Sequence, residues 1–346
     1  MERQALIQIT KIQTGSLGVG PVDPHLFKNK RRLLMSSGVL RASVDLGTNT
    51  CLLLIARCDS TTGVVEEILS DHSTVVRLGQ GVDQNRALHP DAMARTQACL
   101  ERYAVLIREA GLAPSQVVAV ATSQARDAKN GNEFFKQIQS TTGVHFRVIS
   151  GDEEAKASFL GGLLPGMSPE SASIIDIGGG STELISISGG KSLDIGSVRF
   201  TERFLKSDPV TDDEFWRCEE AIDAELRSLL DWRAGLPHGA HLVAVAGTAT
   251  TLAAWQLGLQ QFDAKKIDGV TLTRGDLHRM VEELKWRTSH ERRQLPGVEP
   301  MRADVLLAGA MILWRATELL QFPAVTVSTR GLRFGILQIH PVVQEG

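Results

Sequence analysis

The chain has 346 residues, with 37 Lys and Arg against 40 Asp and Glu and a formal net charge of −3. That length suffices for about two domains with real cores, and the near-neutral balance excludes a global polyanion- or membrane-surface-binding role, so any anion site must be a local cluster. Cys51, Cys58, Cys99 and Cys218 form no C-x-x-C pair, and no apolar run reaches the length of about 18 residues that a membrane span needs; these features predict reduced thiols in a cytoplasmic protein that contacts neither membrane nor nucleic acid.

Residues 1–40, with Lys28, Lys30, Arg31 and Arg32, lack periodicity and read as a disordered or loosely attached extension, with Met35 as an alternative start. Strands are predicted at 43–46, 51–58 and 64–69, an antiparallel meander turning at Gly47, Thr48, Asn49 and Thr50 and again at 59–63. A helix follows at 90–110, with Met93, Thr96, Leu100, Tyr103 and Ile107 on one face and Gly111 as its C-terminal cap. The buried strand at 117–121 runs into Thr122, Ser123, Gln124 and Arg126, polar residues at a strand's carboxyl end, where α/β sheets contact ligands. A short helix at 133–139 and a strand at 144–149 precede Ser150-Gly-Asp-Glu-Glu-Ala-Lys156. Ser150 and Glu153 are spaced as a capping box, which gives Glu153 a structural task and leaves Glu154 free. The plain alternative for Glu154 is a solvated first-turn acid favoured by the helix dipole.

The stretch 173–184 carries the densest chemistry: a buried strand, Asp176, the turn Gly178, Gly179, Gly180, the hydroxyls of Ser181 and Thr182, Glu183, and a second strand. Glycines let backbone amides approach an anion, and successive amides in a tight turn form an anion-binding concavity. Asp176 and Glu183 are placed to hold a cation or position water; a glycine-rich hairpin with a solvated Glu is the alternative. A strand at 184–187, a turn at Gly189 and Gly190 and a strand at 192–195 then repeat the early pattern, Asp45 and Gly47 corresponding to Asp176 and Gly178. The repeat predicts two related lobes whose phosphate loops face each other across a cleft. A helix is predicted at 211–232, opened by a capping box of Thr211 and Glu214. Residues 243–252 read as a strand, a third small-residue turn with Gly247 and Thr248, and a helix start. Its free amides suit an anion, or the small residues serve close strand–helix packing. Helices at 275–287 and 304–320, a strand at 325–327 and a last helical segment complete the chain; 291–297 reads as a charged, solvated loop.

Three loops in this order resemble those of the actin/sugar-kinase/heat-shock-seventy superfamily. More specifically, the chain resembles the exopolyphosphatase / guanosine pentaphosphate phosphatase (Ppx/GppA) family from about residue 43 to 339. The match runs through Val76-Arg-Leu-Gly79, Ser150-Gly-Asp-Glu-Glu-Ala155, Gly196-Ser-Val-Arg199, Pro296-Gly297, Arg302-Ala-Asp304 and Gly331-Leu-Arg333. The resemblance implies an α/β fold of two ribonuclease-H-like (actin-like ATPase) lobes, mixed sheets flanked by helices, about an interdomain cleft. Lobe I would comprise 41–158 and 330–346, and lobe II 159–329 with a third loop at 246–251. It also implies Glu154 as general base, Arg126 as a phosphate contact, and Asp45, Asp176 and Glu183 as acids at a Mg²⁺ and the reacting phosphate, with or without a monovalent cation. Phosphates would lie on Gly47, Thr48 and Asn49, on Gly178, Gly179, Gly180, Ser181 and Thr182, and on Gly247 and Thr248. The implied activity is release of orthophosphate from the end of inorganic polyphosphate or from guanosine pentaphosphate, by a monomer or a homodimer. A small-molecule kinase on the same fold and a non-catalytic polyphosphate or alarmone sensor are the alternatives. Arg199, Arg203, Lys265, Lys266, Arg292 and Arg293 either line a path for a long polyanion or are scattered surface charge. The chain ends before the helical region of longer relatives, which places it with the short, two-domain type.

Overall fold

Three apolar segments zip into the expected meander: β1 (Val39–Leu46) pairs antiparallel with β2 (Thr50–Cys58), and β2 with β3 (Val65–Val75). The computed structural model describes residues 38–340, so the expectations for Met35 and for the basic cluster at 28–32 lie outside the described residues. β3 runs six residues past its predicted end. Ser70 to Thr74 are polar, yet they continue the ladder on an edge strand with one wet face. After the short helix α1 (Val82–Asn85) and α2 (Pro90–Glu109), β4 (Val117–Ala121) joins β1 in parallel. The polar residues after β4 coil into α3 (Ser123–Asp127). α4 (Gly131–Thr142) leads to β5 (Phe146–Val148) and gives the sheet order β3-β2-β1-β4-β5. Alternation along the strands sends Ala42, Val44 and Leu46 toward α2 and α4, while Leu54, Ala56, Cys58 and Val120 serve the opposite face.

The second half repeats the plan. β6 (Ala172–Ile177), β7 (Thr182–Ser186) and β8 (Gly189–Leu193) form a meander. After α6 (Ser197–Phe204), α7 (Asp212–Leu226) and α8 (Leu230–Ala234), β9 (His241–Val245) lies parallel to β6. Helices α9 (Ala246–Gln256) and α10 (Ala264–Ile267), strand β10 (Thr271–Thr273), helices α11 (Arg274–Lys285), α12 (Ser289–Arg292) and α13 (Leu306–Leu319), and strand β11 (Ala324–Val327) complete the order β10-β11-β9-β6-β7-β8. Without β10, both sheets follow one scheme: three antiparallel strands, then two in parallel. The fold is therefore mixed α/β, two mixed sheets flanked by helices, as expected. The Thr211–Glu214 capping box is present with both hydrogen bonds.

Three expectations are corrected. The β7–β8 turn is made by Ile187 and Ser188, and Gly189 and Gly190 open β8 instead. Gly190 is needed there because a Cβ would lie 2.0 Å from the Leu184 carbonyl oxygen. The predicted helix at 211–232 breaks after Leu226 into a 3₁₀ turn and α8. The segment read as a solvated loop at 291–297 begins in α12, and Arg292 is only 3% exposed, its Nε donating to the Leu284 carbonyl at 2.9 Å.

Helix α5 (Gly151–Gly162) serves both sheets, and α14 (Leu332–Ile339) packs on the first sheet and against α5. Ala157 of α5 packs with Val120, Ile149 and Leu332, whereas Phe159 packs with Ile174, Val243 and Val245. The boundary expected at 158/159 falls inside this unbroken helix. α14 is tied to β1 by Arg41 Nη1 donating to the Leu337 carbonyl (2.7 Å) and Ser43 Oγ to the Arg333 carbonyl (2.6 Å).

Candidate active site

Strand register brings the acids together. Asp45 is the penultimate residue of β1 and Asp176 that of β6, so equivalent positions in the two sheets end in a carboxylate before a glycine turn. Asp176 lies directly opposite Glu183 in the β6–β7 ladder, which sets two acids side by side. Between the sheets opens a cleft of about 730 Å³, lined by Asp45, Glu154, Asp176, both turns and the start of α9.

The two turns are built alike. The Gly47 amide donates to the Thr50 carbonyl (2.9 Å), and the Gly178 amide to the Ser181 carbonyl (3.0 Å). In the first turn, amides of Val76, Arg77 and Gly79 take the carbonyls of Asn49 and Thr48. In the second, amides of Ser197, Val198 and Arg199 take those of Gly178 and Gly179, and Arg199 Nε takes that of Gly180 (2.7 Å). A downstream segment thus engages the carbonyls in both turns. The turns also touch each other: a Cβ on Gly179 would lie 2.8 Å from Thr48 Cβ, and one on Gly180 2.5 Å from Ser123 Oγ. Close approach across the cleft therefore requires glycine at Gly179, where the facing atom is a Cβ fixed to the backbone.

Glu154 sits in the first turn of α5. Ser150 caps that helix by accepting from the Glu153 amide (3.2 Å), but the return bond of a capping box is absent. The Glu153 carboxylate turns instead to Arg147 (2.6 Å) and His340, because a full ion pair is available just outside the helix. Glu154 is 8% exposed and accepts from Arg126 Nη1 at 3.2 Å; the same nitrogen donates to the Ile149 carbonyl (2.7 Å). Burial and then the nearby Asp176 push the Glu154 carboxyl up to about 8, against the pull of Arg126. Burial and then Asp176 likewise push Asp45 up to about 7. Asp176 is raised by burial while Ser158 donates to it, and Glu183 is raised well above the usual range by burial, Glu154 and Asp176, with Ser192 donating to it at 2.7 Å.

This crowd of mutually repelling, desolvated carboxyls fits a cation. Two buried acceptors, Asp45 Oδ1 and Asn49 Oδ1, have no hydrogen-bond partner among the described residues. Among those residues no three His, Cys, Asp or Glu side chains converge as a closed ligand set. The donor set therefore suits an ion that takes one or two carboxylates and keeps water or substrate oxygens as its other ligands, as Mg²⁺ does.

Of the residues singled out in the sequence, Asp45, Gly47, Thr48, Asn49, Glu154, Asp176, Gly178, Gly179, Ser181, Gly247 and Thr248 line the cleft. Arg126, Gly180 and Glu183 are not among its lining residues. Thr182 leaves the phosphate loop altogether: it is buried in β7 and its hydroxyl donates to the Ile195 carbonyl (2.6 Å). Of the six residues of the expected basic path, three are otherwise engaged: Arg199 is buried among acids, Arg203 pairs with Asp83 and Arg292 is internal, while Lys265, Lys266 and Arg293 are exposed. Three arginines without an assigned role line the cleft instead: Arg302, Arg330 and Arg333. Arg302 lies against Gly247 at the start of α9 and donates to Thr50 Oγ1 (2.9 Å), and Arg333 makes a two-pronged pair with Asp71 (2.9 Å each). Arg302 and Arg333 lie in segments that carry the family resemblance, but no local pattern marked them as facing a cleft.

The chain belongs to the Ppx/GppA phosphatase family, whose model matches residues 54–339. That membership makes it a phosphatase-class hydrolase, and its fold is that of the actin-like ATPases. It is 35% identical over 285 residues to Exopolyphosphatase 2 of Mycobacterium tuberculosis, covering 79% of this chain and 88% of that protein. It is 31% identical over 287 residues to the bifunctional 3-dehydroquinate synthase/phosphatase of Fusobacterium nucleatum, covering 79% of this chain but only 42% of that longer protein. Among solved structures, the Ppx/GppA family member of Aquifex aeolicus superposes with a TM-score of 0.69 at 31% identity, over 87% of this chain and 97% of that one. Among the described residues no helix is long and apolar enough to cross a membrane.

Proposed function

We propose that the protein removes the terminal phosphate of inorganic polyphosphate as orthophosphate. The observation that carries this reading is the placement of Glu154: a buried carboxyl near neutral pKa, held by Arg126, on the wall of a cleft between two matched glycine turns. The name of the mycobacterial relative points to the same chemistry. Phosphoryl transfer needs mainly positioning and charge stabilisation. The amides of the two turns, with Thr48 and Ser181, hold consecutive phosphates. Arg302 and the amides of Gly247 and Thr248 at the start of α9 add positive potential at the cleft. Glu154 orients the attacking water and takes its proton, and a pKa near the working pH suits both steps. Arg126 aims the Glu154 carboxylate through their hydrogen bond. Asp45 and Asp176, supported by Glu183, would hold Mg²⁺, which supplies neutralisation of phosphate charge when bound.

Phosphate release decides the reading. Long-chain polyphosphate and guanosine pentaphosphate are supplied at matched terminal-phosphate concentration, with and without Mg²⁺. Mg²⁺-dependent orthophosphate from polyphosphate is expected. Release from the nucleotide alone would move the substrate to guanosine pentaphosphate. Binding without release from either would leave a sensor, and phosphate transferred from ATP to a small molecule would make the protein a kinase.

A further inference from the structure

Arg199 is 4% exposed, and each nitrogen of its guanidinium is engaged. Nε donates to the Gly180 carbonyl at 2.7 Å, Nη1 to Asp83 at 2.7 Å and Nη2 to Asp127 at 2.9 Å. Gly180 belongs to the second glycine turn; Asp83 and Asp127 belong to α1 and α3, which accompany the first sheet. Asp127 follows Arg126, the residue that holds Glu154. Arg203, one helical turn further along α6, grips Asp83 as well, through Nε at 2.5 Å and Nη2 at 2.6 Å. Two further links cross between the halves nearby: Arg77 Nη2 donates to Asp304 (2.8 Å) and to the Met301 carbonyl (2.7 Å), and the Gly81 amide donates to Glu202 (3.0 Å).

We propose that Arg199 is a positioning residue for the hydrolysis: by tying Gly180 to Asp83 and Asp127, it holds the second phosphate turn against the first at the spacing a bound chain of phosphates requires. The proposal rests on the cleft being the phosphate site. The physical basis is the rigid guanidinium fork. It reaches three acceptors at once, with charge-assisted bonds to two carboxylates, which a flexible ammonium cannot do. The alternative, a merely structural ion pair, has no reason to end on the carbonyl of a substrate loop. Without Arg199 the turns separate, and the competent arrangement becomes a minor fraction of molecules. Apparent affinity then falls by that fraction, whereas substrate that does bind draws the turns together and restores the rate.

Arg199→Ala, Arg199→Lys and Asp127→Asn test this, the last at a partly exposed carboxylate. Phosphate release is measured across polyphosphate concentrations beside thermal melts. The distance across the cleft is read by pulsed electron resonance between spin labels at Glu101→Cys and Arg227→Cys, both exposed positions, the four native cysteines being buried. The expected result is a KM raised about tenfold with kcat within about twofold, and a wider label distance that contracts when polyphosphate is added, with Arg199→Lys milder than Arg199→Ala. An unchanged KM, a loss confined to kcat, or an unchanged distance would overturn the role given to Arg199. The distance does not depend on turnover. A wild type that releases no phosphate therefore refutes the phosphatase reading, while the labels still decide this one.

Discussion

At the scale of single residues, the competing forces on Glu154 can be ranked. It occupies the first turn of α5, where the helix dipole favours a charged carboxylate by about 0.3–1 kcal/mol. Burial and the neighbouring Asp176 act the other way and win, holding the carboxyl up to about 8. A base must be unprotonated, so kcat/KM is expected to climb with pH through neutrality, reach half its plateau near 8 and level off about one unit higher. Arg126 pulls this pKa down, so Arg126→Ala should move the rising limb to higher pH, and Glu154→Gln should lower kcat by about 10²–10⁴ with polyphosphate still bound. A limb that stays in place without Arg126, or near-normal turnover by the glutamine variant, contradicts the assignment of Glu154 as base. In the sequence Glu154 stood out by elimination, because Glu153 had a capping task. The structure gives Glu153 a different partner, Arg147, yet the elimination leads to the same residue. Burial and the approach of Asp176 were beyond sequence reasoning, since they arise from strands far along the chain.

At the scale of elements, α5 decides where Glu154 points, and α5 is located by its contact with α14. The two helices meet through glycine. A Cβ on Gly335 would lie 1.8 Å from the Ala157 carbonyl oxygen, and one on Gly161 2.0 Å from the Gly331 carbonyl oxygen. Backbone atoms cannot swing aside as side-chain tips do. Gly335→Ala is therefore expected to destabilise by about 2–3 kcal/mol, and to lower activity through displacement of α5 even below the melting temperature. A chemical denaturation curve with an unchanged midpoint would mean that the helices can part freely. Periodicity located α2 in the sequence because that helix buries a stripe of its own residues. It did not reveal the α5–α14 contact, in which absent side chains, rather than present ones, carry the information. The β7–β8 turn was misplaced for the same reason: Gly190 looked like turn chemistry but serves a close approach inside a ladder.

At the scale of the whole molecule, the repeat of strand, Asp-x-Gly, turn and strand was legible from one sequence because the glycine and carboxylate fall at matched places in both halves. What the halves do to each other was not legible: each contributes an acid that raises the other's pKa. Asp45 is pushed from 3.8 to about 7 and Glu154 from 4.5 to about 8. A carboxyl raised in the folded state binds more protons there than in the unfolded chain, so its contribution is complete at low pH and is lost as pH rises through the folded-state value. Metal-free protein should therefore lose stability steadily between about pH 5 and 8. A cation held by the same carboxylates competes with their protons, and its binding free energy adds to the folded state alone. Mg²⁺ should then raise the melting temperature more at pH 8 than at pH 6. Asp45→Asn, which removes one of the repelling charges and one ligand together, should flatten the metal-free pH dependence and diminish the Mg²⁺ shift. Thermal melts of both proteins in chelator and in Mg²⁺, at the two pH values, separate these effects. An equal Mg²⁺ shift at both pH values, or an asparagine variant with the wild-type Mg²⁺ shift, would remove Asp45 from the cation site, and an asparagine variant with the wild-type metal-free pH dependence would contradict its raised pKa.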